Sequence, residues 1–352
     1  MDAFGGTLFS DRLLADVDVW SDRATTAMGE QSATREQVEA HVDRYDSGSN
    51  RQRLVESVLT ALGGRPSTLR VMTTRPDGRA AVDAHAACAH ADCDDRRAVV
   101  TDGRHWRLLL ADEPPDQYLD VDLSAALDDP RSFAVFAAAF GPATAFERLL
   151  EARDAHVAEA RANLRTSLQE AVRRATAHQV DGTEEPTDER DDATSENEAN
   201  DGAASDATAA VDAGCVLAFR LAVARFAAAR GRDVADAQTL ARWDGDLPFG
   251  RAPELASERE RADELSTDAV RSVTDALDGV DYAALDARHL GDAYERLLDA
   301  DPVVEDGTVR LAFDGTKREL TGAYYTPGYL VDHAVETTVD GPDATVLDPA
   351  MG

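Results

Sequence analysis

Lysine occurs once in this chain of 352 residues, at Lys317. The remaining bases are arginines; Lys and Arg together number 36 against 68 acids, giving a formal charge of −32 and a pI near 4.4. The charge total offers no basic footprint from which a nucleic-acid partner could be argued, and it does not exclude one. Cysteine is scarce too, three in all, so a disulfide framework is not expected. There is no apolar run of about eighteen residues and no leading apolar segment with a cleavage site. The expectation is a soluble cytoplasmic protein with no membrane partner.

What the chain does have is length and acid. At 352 residues it can form two or more domains, each with its own core. Its acid-rich, lysine-poor, alanine-rich composition is similar to that of proteins from salt-loving archaea. In roughly molar salt the Debye length falls to about 3 Å, so a dense acidic surface repels itself little and stays hydrated.

Taken in order, Phe4 to Trp20 reads as helix and irregular structure, and Arg35 to Tyr45 as a polar helix. Arg51 to Leu62 carries Leu54, Val55, Val58, Leu59 and Leu62 on one face and stops at Gly63-Gly64. Leu69 to Thr73 suits a strand and Ala80 to Val82 a second. Ala98 to Leu110 reads as a hairpin around Asp102-Gly103, and Tyr118 to Leu123 as a further strand. Ser132 to about Gln179 keeps a helical period, broken at Gly141-Pro142. From Val180 to Asp212 there are twelve acids, one arginine (Arg190) and no aromatic residue, the composition of a disordered linker. Ala213 to Gly231, Glu258 to Leu277 and Asp286 to Leu298 read as helices, and Val303 to Leu320 as a hairpin with Asp314-Gly315 towards its end.

The most informative stretch is Gly322 to Gly352. Thr326 suits an N-cap and Pro327 the first helical position. Leu330, Val331, Ala334, Val335 and Thr338 then recur at helical spacing, which predicts one buried face; Gly341-Pro342 ends the run. Thr345 to Leu347 is a short apolar strand, followed by Asp348-Pro349-Ala350-Met351-Gly352. An acidic residue and a glycine turn after a strand commonly open a nucleotide-binding α/β domain, because glycine lets the backbone approach a ligand closely.

This pair of segments resembles the class I, S-adenosylmethionine-dependent DNA adenine-N6 methyltransferases of restriction–modification and phage-exclusion systems. In that family a Tyr-Tyr-Thr-Pro segment precedes a helix and then a strand ending in Asp-Pro-Ala-x-Gly-x-Gly. Tyr324, Tyr325, Thr326 and Pro327 match the first, and Asp348, Pro349, Ala350 and Gly352 the opening of the second. The resemblance implies that these eight residues line the S-adenosylmethionine site, with the helix N-terminus and the glycine turn near the cofactor's charged methionine end. The second glycine, the Asn-Pro-Pro-aromatic segment that holds the target base, and the catalytic residues are expected beyond residue 352.

The run Val99 to Leu108 resembles the Thr-Asp-Gly-x-x-Trp hairpin of type IIG restriction enzymes, whose magnesium nuclease uses a helix glutamate, a Pro-Asp and a Glu-x-Lys. Glu56 and Pro76-Asp77 stand in the right neighbourhood, but no Glu-x-Lys exists. Two acids can bind Mg²⁺, yet nothing is placed to activate water or stabilise the phosphorane charge. The expectation is a nuclease-like domain without nuclease activity. His85, Cys88, His90 and Cys93 are zinc-competent types, but nine consecutive residues wrap one ion poorly, and the expectation is no metal site. Further on, the helix holding Arg220 resembles the family's Arg-Leu-Leu-Phe helix. A buried arginine there would pair with acids to hold the domain together, or contact a DNA phosphate. His289 to Leu298 matches a Leu-Gly-x-x-Tyr-Glu-x-Leu-Leu helix in which Tyr294 and Glu295 would pack and pin the following segment.

The expected fold class is therefore α/β and α. It divides into a degenerate nuclease-like α/β domain (1–130), a helical segment (131–179), an acidic disordered linker (180–212), a helical connector (213–320) and the start of a Rossmann-like methyltransferase domain (321–352). The implied function is methyl transfer from S-adenosylmethionine to adenine N6 in double-stranded DNA, after the base is flipped from the duplex. The partners are that DNA and other restriction or phage-defence subunits. The rival expectations are a non-catalytic scaffold or binding module, and a methyltransferase acting on RNA or protein.

Overall fold

The computed structural model describes residues 3–15, 24–45, 50–64, 69–89, 96–113, 117–181, 196–234, 266–298, 300–305, 308–313 and 328–338. The chain divides into two compact units, Met1–Ala160 and Arg161–Gly352.

Unit 1 is built on a five-stranded mixed sheet: β1 (Phe4–Gly6), β2 (Arg70–Thr73), β3 (Arg97–Thr101), β4 (His105–Leu110) and β5 (Tyr118–Asp122), in the order β1-β5-β4-β3-β2. Every pairing is antiparallel except β2 with β3. Around it lie α1 (Asp11–Ala15), α2 (Ala24–Tyr45), α3 (Arg51–Ala61), α4 (Gly78–Ala89), α5 (Leu123–Asp128), α6 (Pro130–Phe140) and the start of α7 (Ala143–Asp181).

The sheet is apolar on both faces, and the period-two alternation of strands explains how. Val99, Trp106, Leu108, Leu110, Leu119 and Val121 join a large core with residues of α1, α3, α5, α6 and the first turns of α7. Ala98, Val100 and Leu109 face the other way, onto Ala80, Ala81, Ala84 and Cys88 of α4. A strand buried on both faces reads as a continuous apolar run, and β3 is buried along its whole length.

The chain from Ala80 to Val82 is helix, not strand. The Asp77 carboxylate accepts the Ala80 N–H at 2.8 Å and caps the first turn of α4. The small residues at 80, 81, 84 and 88 then make one helical stripe that seats closely on the sheet. At the other end, Phe4–Gly6 is an edge strand paired with β5, where helix and irregular structure were expected.

Unit 2 is mainly helical. Besides the second half of α7 it contains α8 (Glu196–Ala228), α9 (Thr267–Leu277), a 3-10 turn at Tyr282–Ala284, α10 (Ala287–Leu298), the hairpin β6 (Ala300–Glu305) and β7 (Thr308–Phe313), and α11 (Gly328–Thr338). α8 is its axis: from Ala210 to Ala222 nearly every residue is buried, so it is apolar all round. It crosses α7 at Gly214, where an added Cβ would stand 3.1 Å from the Ala175 Cβ and 3.3 Å from the Val172 carbonyl. Only glycine allows so close a crossing without displacement. Phe219 packs on Tyr294 of α10 with ring centroids 4.5 Å apart, so through this contact Tyr294 packs back onto α8 rather than onto the segment that follows it.

Helix α8 begins at Glu196, so the expected disordered linker over 180–212 is overturned for 196–212; residues 182–195 lie outside the described residues. The local reason is alanine. Five alanines between 203 and 210 favour helix, and Glu196, Glu198 and Asp201 lie near the helix start, where negative charge suits the dipole. The second hairpin starts at Ala300 and its strands end at Phe313. Glu305 pairs with Thr308 at the end of the hairpin, and Asp314-Gly315 lies after β7, outside the described residues. The boundary between units falls at 160/161, so α6 and the first turns of α7 belong with the sheet rather than with a separate helical segment. Among the described residues no single helix is long and apolar enough to cross a membrane; the bent pair α6 and α7, at 109°, is the nearest approach, and α6 lies in the core of unit 1.

Candidate functional site

Tyr324, Tyr325, Thr326, Pro327, Asp348, Pro349, Ala350 and Gly352 lie outside the described residues. The helix between the two segments does not. α11 starts at Gly328, directly after Pro327, where the N-cap and proline signals put it. Four of the five residues of its expected buried face are exposed instead: Leu330 is 44% and Val335 51% accessible, and Ala334 and Thr338 are exposed as well, while the side chain of Val331 lies outside the described residues. No other described element packs extensively on α11, and apolar periodicity by itself cannot supply a partner surface. The Thr337 and Thr338 hydroxyls are satisfied within the helix, donating to the His333 and Ala334 carbonyls.

The acids matched to a nuclease have local duties. Glu56, exposed on α3, accepts from Gln52 Nε2 at 3.1 Å and borders an open cleft of about 510 Å³ with His41, Tyr45, Arg53 and Thr60. Asp77 is spent on capping α4. His85 and Cys88 share a face of α4, as their spacing predicts, but His85 Nε2 bonds the Glu113 carbonyl at 2.8 Å and Cys88 packs beneath the sheet, 2% exposed. His90 and Cys93 lie outside the described residues. Among the described residues, no group of three or more His, Cys, Asp or Glu side chains could hold a metal ion.

The Thr-Asp-Gly-x-x-Trp hairpin explains itself residue by residue. Thr101 Oγ1 accepts the Gly103 N–H at 2.9 Å; Asp102 Oδ1 accepts the Arg104 and His105 N–H groups at 3.0 and 2.8 Å. Burial by itself would raise the Asp102 carboxyl, but its hydrogen bonds to His105 and Arg104 outweigh that, and the net shift is downward. Gly103 sits at φ +96°, in the left-handed region, with the Leu54 side chain 3.0 Å from where a Cβ would stand. Trp106 donates Nε1–H to the Gly103 carbonyl at 3.1 Å and meets Phe136 and Phe140 edge-on, at 5.4 and 5.3 Å. Beside it Arg107 grips Asp120 with two bonds of 2.6 Å across β4 and β5 and stacks over Tyr118. The motif thus closes a turn and bolts it to α6.

In unit 2, Arg220 is buried in α8, 2% exposed. The feature that sequence reading missed lies where α7 meets α10: a cleft of about 230 Å³ lined by Arg161, Arg165, His289, Asp292, Glu295 and Arg296. Arg161 and Arg165 are one turn apart on α7, and Asp292 and Arg296 one turn apart on α10, so each helix presents its charges on one face. Arg161 reaches Asp292 at 3.4 Å. The i, i+4 spacings were visible in the sequence; the meeting of the two faces was not.

His289 is fixed by the start of α10. Asp286 Oδ1 accepts the His289 N–H at 2.9 Å, and His289 Nδ1 accepts the Asp286 N–H at 3.1 Å. This is a reciprocal capping box with histidine in the usual place of glutamate. It requires an unprotonated Nδ1, so the neutral ring carries its proton on Nε2. Burial lowers the His289 pKa, against the opposing pull of Asp286, and favours that neutral form. The cleft therefore offers three guanidinium groups and one imidazole N–H against two carboxylates.

No family model, curated protein or solved structure matches this chain, so its mixed α/β first unit and helical second unit stand on its own residues and geometry.

Proposed function

We propose that this chain is the N-terminal part of a site-specific DNA methyltransferase that modifies adenine N6 in restriction–modification or phage defence. The observation that carries the reading is the ordered pair of segments, Tyr324-Tyr-Thr-Pro327 and Asp348-Pro-Ala-Met-Gly352, around α11. The start of α11 at Gly328, right after Pro327, supports it, because the resemblance calls for a helix N-terminus near the donor's charged methionine end. When bound, S-adenosylmethionine would supply an electrophilic methyl group. The chain's own contribution is to hold the donor: the Asp348 carboxylate is suited to accept hydrogen bonds, and Gly352 to let the backbone come close. Unit 1, whose conspicuous motif serves its own fold, has the role of a scaffold in this reading rather than of a nuclease.

The test uses the complete natural polypeptide carrying these residues, with donor labelled in its methyl group and duplex DNA either unmethylated or fully methylated. The expected result is label in unmethylated DNA, recovered as N6-methyladenine, and its loss in Asp348→Ala. Label on RNA or protein alone, or none on any acceptor, would overturn the reading.

A further inference from the structure

We infer that the cleft between α7 and α10 is a phosphate-binding surface for the backbone of duplex DNA. The choice of polymer rests on the methyltransferase reading; the anion-binding character rests on the cleft itself.

The argument starts from what the other arginines do. With 68 acids available, several arginines here find one. On α7 itself, Arg173 and Arg174 both bond Glu170, first Arg173 and then Arg174 driving that carboxyl down to about 2. In unit 1 Arg104 pairs with Asp122, Arg107 with Asp120 and Arg153 with Glu113. Arg165 and Arg296, like Arg51, Arg53 and Arg70, are exposed with no ion-pair or hydrogen-bond partner among the described residues, but these two line one cleft together with Arg161. Among the described residues Arg161 is held by Asp292 alone, in a pair with both side chains about half exposed, which orients the guanidinium without neutralising it fully.

Three arginines converging from two helices form a cavity rather than a flat patch, and guanidinium is the side chain whose fork fits two phosphate oxygens at once. His289 adds a directed neutral donor, because the capping box occupies its Nδ1 and leaves Nε2–H for the cleft it lines. Asp292 and Glu295 make the surface selective. They oppose loosely held anions and leave the balance to a ligand that presents several phosphates in a fixed array. Elsewhere the −32 charge repels DNA, so the duplex would be admitted only where this cleft faces it. In concentrated salt the counterion-release contribution shrinks, and direct two-pronged arginine contacts become the larger share of what remains.

The experiment measures anisotropy of a fluorescently labelled duplex with the complete polypeptide, across a salt series, for the native protein, Arg165→Gln/Arg296→Gln and Arg271→Gln. Arg271 lies in the same unit, pairs with Asp268 and does not line the cleft, so it serves as the control. The double variant should bind about tenfold or more weakly, and the slope of log affinity against log salt should fall by about two, one for each lost phosphate contact. Arg271→Gln should match the native protein. Unchanged affinity and slope in the double variant would overturn the proposal, as would a loss seen only with single-stranded RNA. A methyl-transfer assay on the same samples keeps the two readings apart. Absent transfer with an arginine-dependent salt slope removes the methyltransferase and leaves the phosphate surface; transfer with an unchanged slope does the reverse.

Discussion

The hairpin of unit 1 and the α7–α10 cleft of unit 2 both gather arginine, histidine and acid, and they use them in opposite ways. In the hairpin the polar groups are consumed internally. Asp102 takes two backbone N–H groups and the His105 ring, Asp122 takes Arg104 and the first turn of α5, and Asp120 takes both prongs of Arg107. In the cleft, Arg165 and Arg296 reach solvent without a partner among the described residues. The contrast shows that a dense charged motif can be complete in itself, and that arginines converging in one cleft, rather than arginines merely left unpaired, are the better sign of an external ligand.

That contrast breaks most visibly at Trp106. It is fully buried and joins the turn to α6 through its Nε1–H and two edge-on aromatic contacts. Trp106→Ala should cost unit 1 about 3–5 kcal/mol in urea unfolding, the usual range for emptying a large aromatic site. A loss below about 1 kcal/mol would mean that the motif is not a structural bolt, and would reopen a chemical role for the hairpin.

The next effect sets one arginine against another. Asp120→Asn strips the bidentate acceptor from Arg107, whose side chain is 12% exposed, and should destabilise unit 1 by about 1–3 kcal/mol. Arg296→Gln should leave unit 2 within about 0.5 kcal/mol of native, as ordinary surface substitutions do. Equal losses at the two sites, read by thermal and urea unfolding, would erase the distinction between a consumed charge and an available one.

The smallest effect is at His289. Its folded pKa lies below the ordinary 6.5, chiefly through burial, so the neutral ring is the native form. The stability it contributes is fully present above pH 6.5 and is lost as the pH falls through the lowered folded value. Unit 2 should therefore weaken towards pH 5, and His289→Glu, which restores the common form of the capping box, should remove most of that slope while keeping a cap worth about 1 kcal/mol. A slope unaffected by the substitution would mean that the box is not what holds the ring.

What was legible in the sequence follows the range of the forces involved. The β3–β4 hairpin, α3, the break at Gly141-Pro142 and the start of α11 each depend on a few adjacent residues, and each stands where local turn and cap signals put it. The Ala80 segment did not, because a short run of small apolar residues fits strand or helix alike, and the Asp77 cap decides it. The acidic stretch before Asp212 was read from its charge, whereas its alanines carry α8 back to Glu196. The apolar stripe of α11 predicted burial, but burial needs a second surface, and Leu330 and Val335 have none among the described elements. The cleft was least legible of all. Arg161 and Arg165 are separated from Asp292 and Arg296 by more than a hundred residues of chain, and only helix packing brings the two pairs to one place.

The most direct test of the central claim is photocrosslinking of methyl-labelled S-adenosylmethionine to the complete natural polypeptide, followed by proteolysis and location of the label. The account predicts label in peptides holding Tyr324 to Pro327 or Asp348 to Gly352, competed away by unlabelled donor. Label confined to other peptides, or no specific label at all, would contradict it.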